Sequence, residues 1–383
     1  MIYLDNSATT PLCDSAKKAI FQALDSFGNP SSLHSVGFEA SKELSKSRSA
    51  VMRALGARSG KLIFTSCGSE ASNLAIFGTV ESKERRTANR IVTTDSEHPS
   101  VENALKCLEV SGFEIVRIST KGGKLDESDI EKALEKPIFM ASMMLVNNET
   151  GAVYDIANVF TRINKKYPSA VCHCDAVQGL FKVKLSATAL NADYISISGH
   201  KIHAPKGIGA LWVSDRIIKE RLLVPRIYGG GQEDGFRSGT ENTIGISAFA
   251  AAAEEGMKTL AEDVQKMSQL REYATDKLKS VSNELRFNVP QKCAPHILSV
   301  TLPRIKSETM LHFLSLHGIC VSSGSACSSH SDKSSQSLIA FGLTPFDADC
   351  TVRISFSKYN TEADVDALAK ALGEGLSKLI RIK

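Results

Sequence analysis

The chain has 383 residues, 42% of them hydrophobic and 23% charged, with a formal net charge of +4. That length supports a large core and a division into two domains, while so small a charge implies neither nucleic acid nor an anionic membrane as partner. No apolar run reaches the roughly 18 residues of a membrane span, and Met1-Ile2-Tyr3-Leu4-Asp5 lacks the basic-then-apolar order of a signal peptide, so the chain reads as cytoplasmic.

An extended arm, residues 3–11, opens the chain and is followed by a helix pattern over 15–27. The stretch Gly28-Asn29-Pro30-Ser31-Ser32-Leu33-His34 is rich in turn formers and reads as either a solvated loop or a binding loop. Helical spacing returns over 38–55. A strand over 61–65 then runs through Ser66-Cys67-Gly68-Ser69-Glu70 into a helix. Small residues there leave backbone N–H groups pointing at one spot, which suits a phosphate, although an ordinary capped helix begins the same way.

Strands and helices alternate from there on: strands over 90–94, 113–118, 138–146, 170–174, 192–197 and 209–213, with helices between most of them. That alternation predicts an α/β fold with a mostly parallel sheet. Cys172-His173-Cys174-Asp175 looks metal-like, but on a strand the two thiols face away from the imidazole, and a core strand is the better reading. The nine cysteines include no CxxC pair, against a zinc ribbon or a dithiol.

Ligands of such a sheet gather at the carboxyl ends of its strands. His98, Asn148, Asp175, Gln178, Ser198, His200 and Lys201 all fall there. A lone lysine at a strand end is ordinarily a surface residue; one desolvated in a cleft becomes a nucleophilic amine able to condense with a carbonyl cofactor. After a glycine-rich stretch, 228–242, a long helix over 243–281 leads to a second domain, with strands over 297–301 and 352–356 and helices near 307–317 and 361–381. Between them lies a serine-rich loop, expected to be mobile, whose Cys327 is no packing residue and invites a chemical role.

Taken together, these pieces resemble the class V aminotransferase family of pyridoxal phosphate enzymes, and within it the NifS/IscS-type cysteine desulfurases. The resemblance covers nearly the whole chain. It rests on Tyr3-Leu4-Asp5-Asn6-x-Ala8-Thr9-Thr10, Gly28-Asn29-Pro30-Ser31-Ser32, Ser96-Glu97-His98, Val146-Asn147-Asn148-Glu149-x-Gly151, Asp175-Ala176-x-Gln178, Ser198-Gly199-His200-Lys201, Gly229-Gly230-Gly231-Gln232-Glu233, Arg237-Ser238-Gly239-Thr240 and Ser322-Ser323-Gly324-Ser325-Ala326-Cys327. It implies the aspartate aminotransferase-like fold of type I, with an N-terminal arm (1–14), a large cofactor-binding domain (15–255) and a small α+β domain (256–383) carrying the cysteine loop at about 321–336.

The resemblance also implies roles. Lys201 would hold pyridoxal phosphate and shuttle a proton, Asp175 would pair with the ring nitrogen, His98 would stack on the ring, and Gln178 would bond its hydroxyl. Gly68, Ser69, Ser198 and His200 would hold the phosphate, joined by Thr240 from a second subunit of a homodimer. Asn148, Arg353 and Asn29 would bind the substrate, L-cysteine, whose sulfur the Cys327 thiolate would accept as a persulfide, leaving alanine. The sulfur would pass to a protein acceptor serving iron–sulfur cluster assembly or thiolation of tRNA or cofactors. Departures are few: Ser69 replaces the usual threonine, and Asp332-Lys333-Ser334 stands where Glu-Pro-Ser is frequent. Alternatives are a selenocysteine lyase or an aminotransferase, for which no mobile thiol is needed, and a non-catalytic docking protein for sulfur transfer. No metal or direct nucleic-acid contact is expected.

Overall fold

The computed structural model describes residues 1–82, 88–323 and 334–382. A short strand, β1 (Ile2–Tyr3), precedes two helices, α1 (Asp14–Leu24) and α2 (Ser35–Ala54). α1 stops short of the expected 27, because the residues beyond have nothing to pack on: Phe27 is 86% exposed. α2 starts three residues earlier than its apolar spacing suggests, since the His34 ring accepts a hydrogen bond from the Gly37 N–H at 3.2 Å and caps it.

Alternation then sets in, through β2 (Lys61–Thr65), α3 (Gly68–Val80), β3 (Arg90–Thr94), α4 (Pro99–Val110), β4 (Glu114–Ile118), α5 (Glu127–Ala133), β5 (Met140–Met144), α6 (Ile156–Lys166), β6 (Val171–Asp175), α7 (Ala187–Leu190), β7 (Tyr194–Ser198), β8 (Gly209–Val213) and α8 (Asp215–Lys219). These strands form a seven-stranded sheet in the order β2-β8-β7-β6-β5-β3-β4. It is parallel from β7 to β4. β8 alone runs against its neighbours β7 and β2, because the link from β7 is too short for a helical crossover. The central strands β5, β6 and β7 are buried along their whole length, as helices on both faces of a parallel sheet require. β5 is shorter than the apolar run 138–146: Val146 has left the sheet and bridges Val153 instead.

A long helix, α9 (Thr243–Val281), carries the chain away, and β9 (Arg286–Phe287), β10 (Ile297–Thr301), α10 (Ser307–Leu316), β11 (Ile319–Cys320), β12 (Ser322–Ser323), α11 (Gln336–Phe341), α12 (Pro345–Asp349), β13 (Thr351–Ser355) and α13 (Glu362–Lys378) follow. A four-stranded antiparallel sheet runs β12-β13-β10-β9. The N-terminal strand β1 pairs in parallel with β11, so the arm belongs with the C-terminal part of the chain. α9 changes partners along its length. Ile246, Phe249 and Ala253 pack into the core of the large sheet, whereas Met267, Leu270, Ala274 and Leu278 pack with Val300, Val352 and Phe356 in a separate core. Among the described residues no helix is long and apolar enough to cross a membrane.

Candidate active site

The carboxyl ends of the parallel strands open into a cavity of about 310 Å³, within the size range of small-molecule sites. Gly68, Ser69, His98, Asn148, Asp175, Gln178, Ser198, His200, Lys201 and Arg353 all line it, together with Ser7, Ala8, Cys67 and Ser100. They arrive from the ends of β2, β3, β5, β6 and β7, except Arg353, which β13 delivers from the smaller sheet. Thr240 does not reach this cavity. It lines a separate depression with Thr65, Ser66 and Arg237. Asn29 lies exposed in the turn before α2, its side chain accepting from the Ser31 N–H at 2.9 Å. Cys327 lies outside the described residues.

Lys201 ends a short 3₁₀ turn, Gly199–Lys201, directly after β7. Its ammonium group donates to the carbonyls of Ser7 and Ala8, the latter at 2.9 Å. The arm therefore fixes the amine through backbone oxygens, which no side-chain pattern in the sequence could announce. Asp175, at the end of β6, accepts from the Val177 N–H at 2.9 Å, and burial pushes its acid up to about 6 despite the pull of Lys201. A cationic ring nitrogen beside it would reverse that rise.

His98 caps α4. The Ser100 N–H donates to its Nδ1 at 3.1 Å, with Ser100 Oγ 2.8 Å from the same atom. Since an N–H can only donate, Nδ1 is an acceptor and Nε2 carries the ring's hydrogen. Burial and the nearby Lys201 charge lower its pKa to about 4, so the ring is neutral at physiological pH. His200 is lowered to about 4 by the same causes, with Lys206 adding to them; its Nδ1 lies 3.2 Å from Thr9 Oγ1.

One end of the cavity is built for an anion. α3 begins at Gly68, so its first N–H groups have no partner within the helix. A Cβ at Gly68 would stand 2.7 Å from Val177 Cγ2. Ser198 Oγ and Asn148 Oδ1 are buried without a hydrogen-bond partner among the described residues, so in the cavity they line each has bonding capacity left for a ligand. On the opposite wall, Arg353 donates from Nη2 to Asp5 Oδ1 and from Nη1 to the Asn148 carbonyl, each at 2.9 Å. Its Nε is buried with no hydrogen-bond partner among the described residues. The arrangement thus offers an anion cradle, an amine, a buried carboxylate and a guanidinium within one small volume.

Beneath the site lies a buried acid to which sequence reasoning assigned no task. Glu97 Oε1 accepts from Thr94 Oγ1 at 2.6 Å and from the Met144 N–H at 2.9 Å, while Oε2 has no partner among the described residues. Burial raises its pKa to about 8, with Asp175 and Glu102 adding repulsion. His173, in the middle of β6, spends both ring nitrogens on Ser142 Oγ and Ser196 Oγ, each at 2.8 Å, as a core histidine does. Cys67 and Ser100 were missed because small residues beside a helix start carry no signal of their own.

Comparison with known proteins adds a second line of evidence. The family model described as Aminotransferase class-V matches residues 2–368. A protein of Trichormus azollae named cysteine desulfurase is 37% identical over 383 residues, 99% of this chain and 94% of the relative. A solved structure titled NifS-like protein superposes with a TM-score of 0.91 at 34% identity, covering 99% of this chain and all of that one. A NifS-like protein from Rickettsia africae gives a TM-score of 0.87 at 32% identity, over 98% of this chain and 99% of the other.

Proposed function

This chain belongs to the class-V aminotransferase family, and on that premise we propose that it is a pyridoxal phosphate-dependent cysteine desulfurase. The observation that carries the reading is the gathering of Lys201, Asp175 and His98 around one cavity with an anion cradle at one end and Arg353 at the other. The residues fit the cofactor. Lys201 would bind its aldehyde, Asp175 its ring nitrogen, and Gly68, Ser69, Ser198 and His200 its phosphate. When bound, the cofactor supplies an electron sink for a carbanion at the substrate Cα.

The chain's own groups do the rest. Arg353, already oriented by Asp5 and the Asn148 carbonyl, turns its remaining donor edge to the carboxylate of L-cysteine. Lys201 Nζ, aimed by the Ser7 and Ala8 carbonyls, takes the Cα proton. Neutral His98 keeps an Nε2–H to donate inside the cavity. The Cys327 thiolate attacks the substrate sulfur: the carbon–sulfur bond breaks, a sulfur–sulfur bond forms, and L-cysteine plus the enzyme thiol become alanine plus an enzyme persulfide. A thiol reductant returns Cys327 and releases sulfide; physiologically, a protein acceptor for iron–sulfur cluster assembly or thiolation takes the sulfur.

The reading includes a homodimer of two-domain subunits. Thr240 and Asn29 lie outside the cavity of their own chain, where a partner's cavity is free to use them. Phe21, Phe27, Leu33 and Phe38 present 71, 86, 104 and 65% of their surface, an apolar display that calls for a cover. The change of core along α9 supports the division near residue 255. The test is to record the visible spectrum and then measure sulfide and alanine release from L-cysteine with a thiol reductant. Equal yields of the two products are expected; bound cofactor without sulfide would overturn the desulfurase reading, and a monomer in solution the dimer.

A further inference from the structure

The orientation of the Gln178 amide is fixed by its neighbours. One end lies 2.9 Å from the Ser7 carbonyl oxygen, which can only accept, so that end is the NH₂ group. The other end is therefore the carbonyl Oε1, and it lies 3.3 Å from His296 Nε2. To meet a carbonyl oxygen, Nε2 must carry the hydrogen. That leaves His296 Nδ1 a bare acceptor, and it is buried with no partner among the described residues. His296 is 1% exposed. Burial, with the charges of Lys182, Arg353 and Lys201 around it, keeps the ring neutral. Three distant segments meet at this point: the arm, the turn after β6 and the residue preceding β10.

With Oε1 turned to His296 and one N–H given to Ser7, the amide's one remaining donor is its second N–H, and Gln178 lines the cavity. We propose that His296 is a positioning residue that locks the Gln178 amide as a hydrogen-bond donor toward the cavity, so that the site selects a ring bearing an anionic oxygen. This rests on the reading of the cavity as a pyridoxal phosphate site, whose ring oxygen is that acceptor. A proton on Nδ1 instead would set a lone pair against Oε1 and free the amide to rotate, at the cost of opposing its oxygen to the Ser7 carbonyl.

The test compares the wild-type holoenzyme with His296→Leu, which has no donor, and His296→Gln, whose amide nitrogen takes the place of Nε2 and restores one. Apoprotein is titrated with pyridoxal phosphate while the visible band is followed, and thermal unfolding is recorded alongside. The leucine variant is expected to bind the cofactor about 5- to 30-fold more weakly, with a shifted band, and the glutamine variant to recover most of both. A leucine variant with wild-type affinity and band overturns the inference. Should that variant not fold, the wild-type protein decides: ¹⁵N shifts of labelled histidine are expected to report His296 protonated at Nε2 and bare at Nδ1, and a ring protonated at Nδ1 overturns it. A wild-type protein that takes up no pyridoxal phosphate removes the cofactor reading, and this inference falls with it.

Discussion

Glu97→Gln is the substitution whose effect can be worked most fully from the structure. Glutamine keeps Oε1 for Thr94 and Met144 and replaces the protonated Oε2 with an uncharged group of the same size, so it imitates the neutral acid. Burial raises the Glu97 pKa from the ordinary 4.5 to about 8. Between those values the folded protein holds a proton that the unfolded chain releases. Stability therefore falls as pH rises through that window, and this group contributes no further change above it. At about 1.4 kcal/mol per pH unit the ceiling on the loss is about 5 kcal/mol. The variant escapes it. The two proteins should be equally stable near pH 4, below the window, and by pH 8.5 the variant should be ahead by an amount on the order of 4 kcal/mol. Urea unfolding at several pH values, followed by the fluorescence of Trp212, the chain's only tryptophan and a buried one, measures this directly. A stability difference that stays constant with pH would refute the argument that Glu97 is neutral in the fold.

Other outcomes follow from the site. Cys327→Ala should retain its cofactor yet lose persulfide and alanine formation by about 10³-fold or more, as measured by product analysis; full activity would remove the thiol from the mechanism. Lys201→Ala should lose steady turnover to a similar extent, and a wild-type rate would move the cofactor attachment to another lysine, with Lys206 the first to test. Gly68→Ala sets a methyl group 2.7 Å from Val177 Cγ2, on a side chain stiff at χ1; cofactor affinity by titration should fall about 5- to 30-fold. Asp5→Ala releases the guanidinium of Arg353 from its carboxylate partner, so KM for L-cysteine should rise about tenfold with kcat nearly kept. An unchanged KM would show that Arg353 is held without Asp5.

Much of the site was legible because it hangs on strand ends. Apolar runs locate parallel strands, and polar residues just past them must face the same edge, which is how Asp175, Ser198 and Lys201 could be grouped before any geometry was known. What escaped were contacts that side-chain patterns do not encode. The carbonyls of Ser7 and Ala8 hold Lys201 through backbone alone. His296 meets Gln178 across 118 residues of sequence, and nothing near either one advertises the other. Glu97 reads as one more polar residue in a motif; only its surroundings show a buried acid with an unpartnered oxygen. α11 and α12 are too short for a periodic signal, at 6 and 5 residues, and rest on caps from Ser335 and Thr344.

The 39 residues of α9 give the protein a phase as well as a length. Each residue of a helix advances about 1.5 Å and turns about 100°, and this helix is seated in one core at Ala253 and in the other from Met267. One residue inserted between those seats would swing everything beyond it by more than a quarter turn and carry Arg353 out of line with Lys201. Three or four inserted together would nearly restore the angle, leaving a displacement of about 5 Å. The place of the Arg353 guanidinium is thus set by a count of residues in a stretch of helix that does not line the cavity.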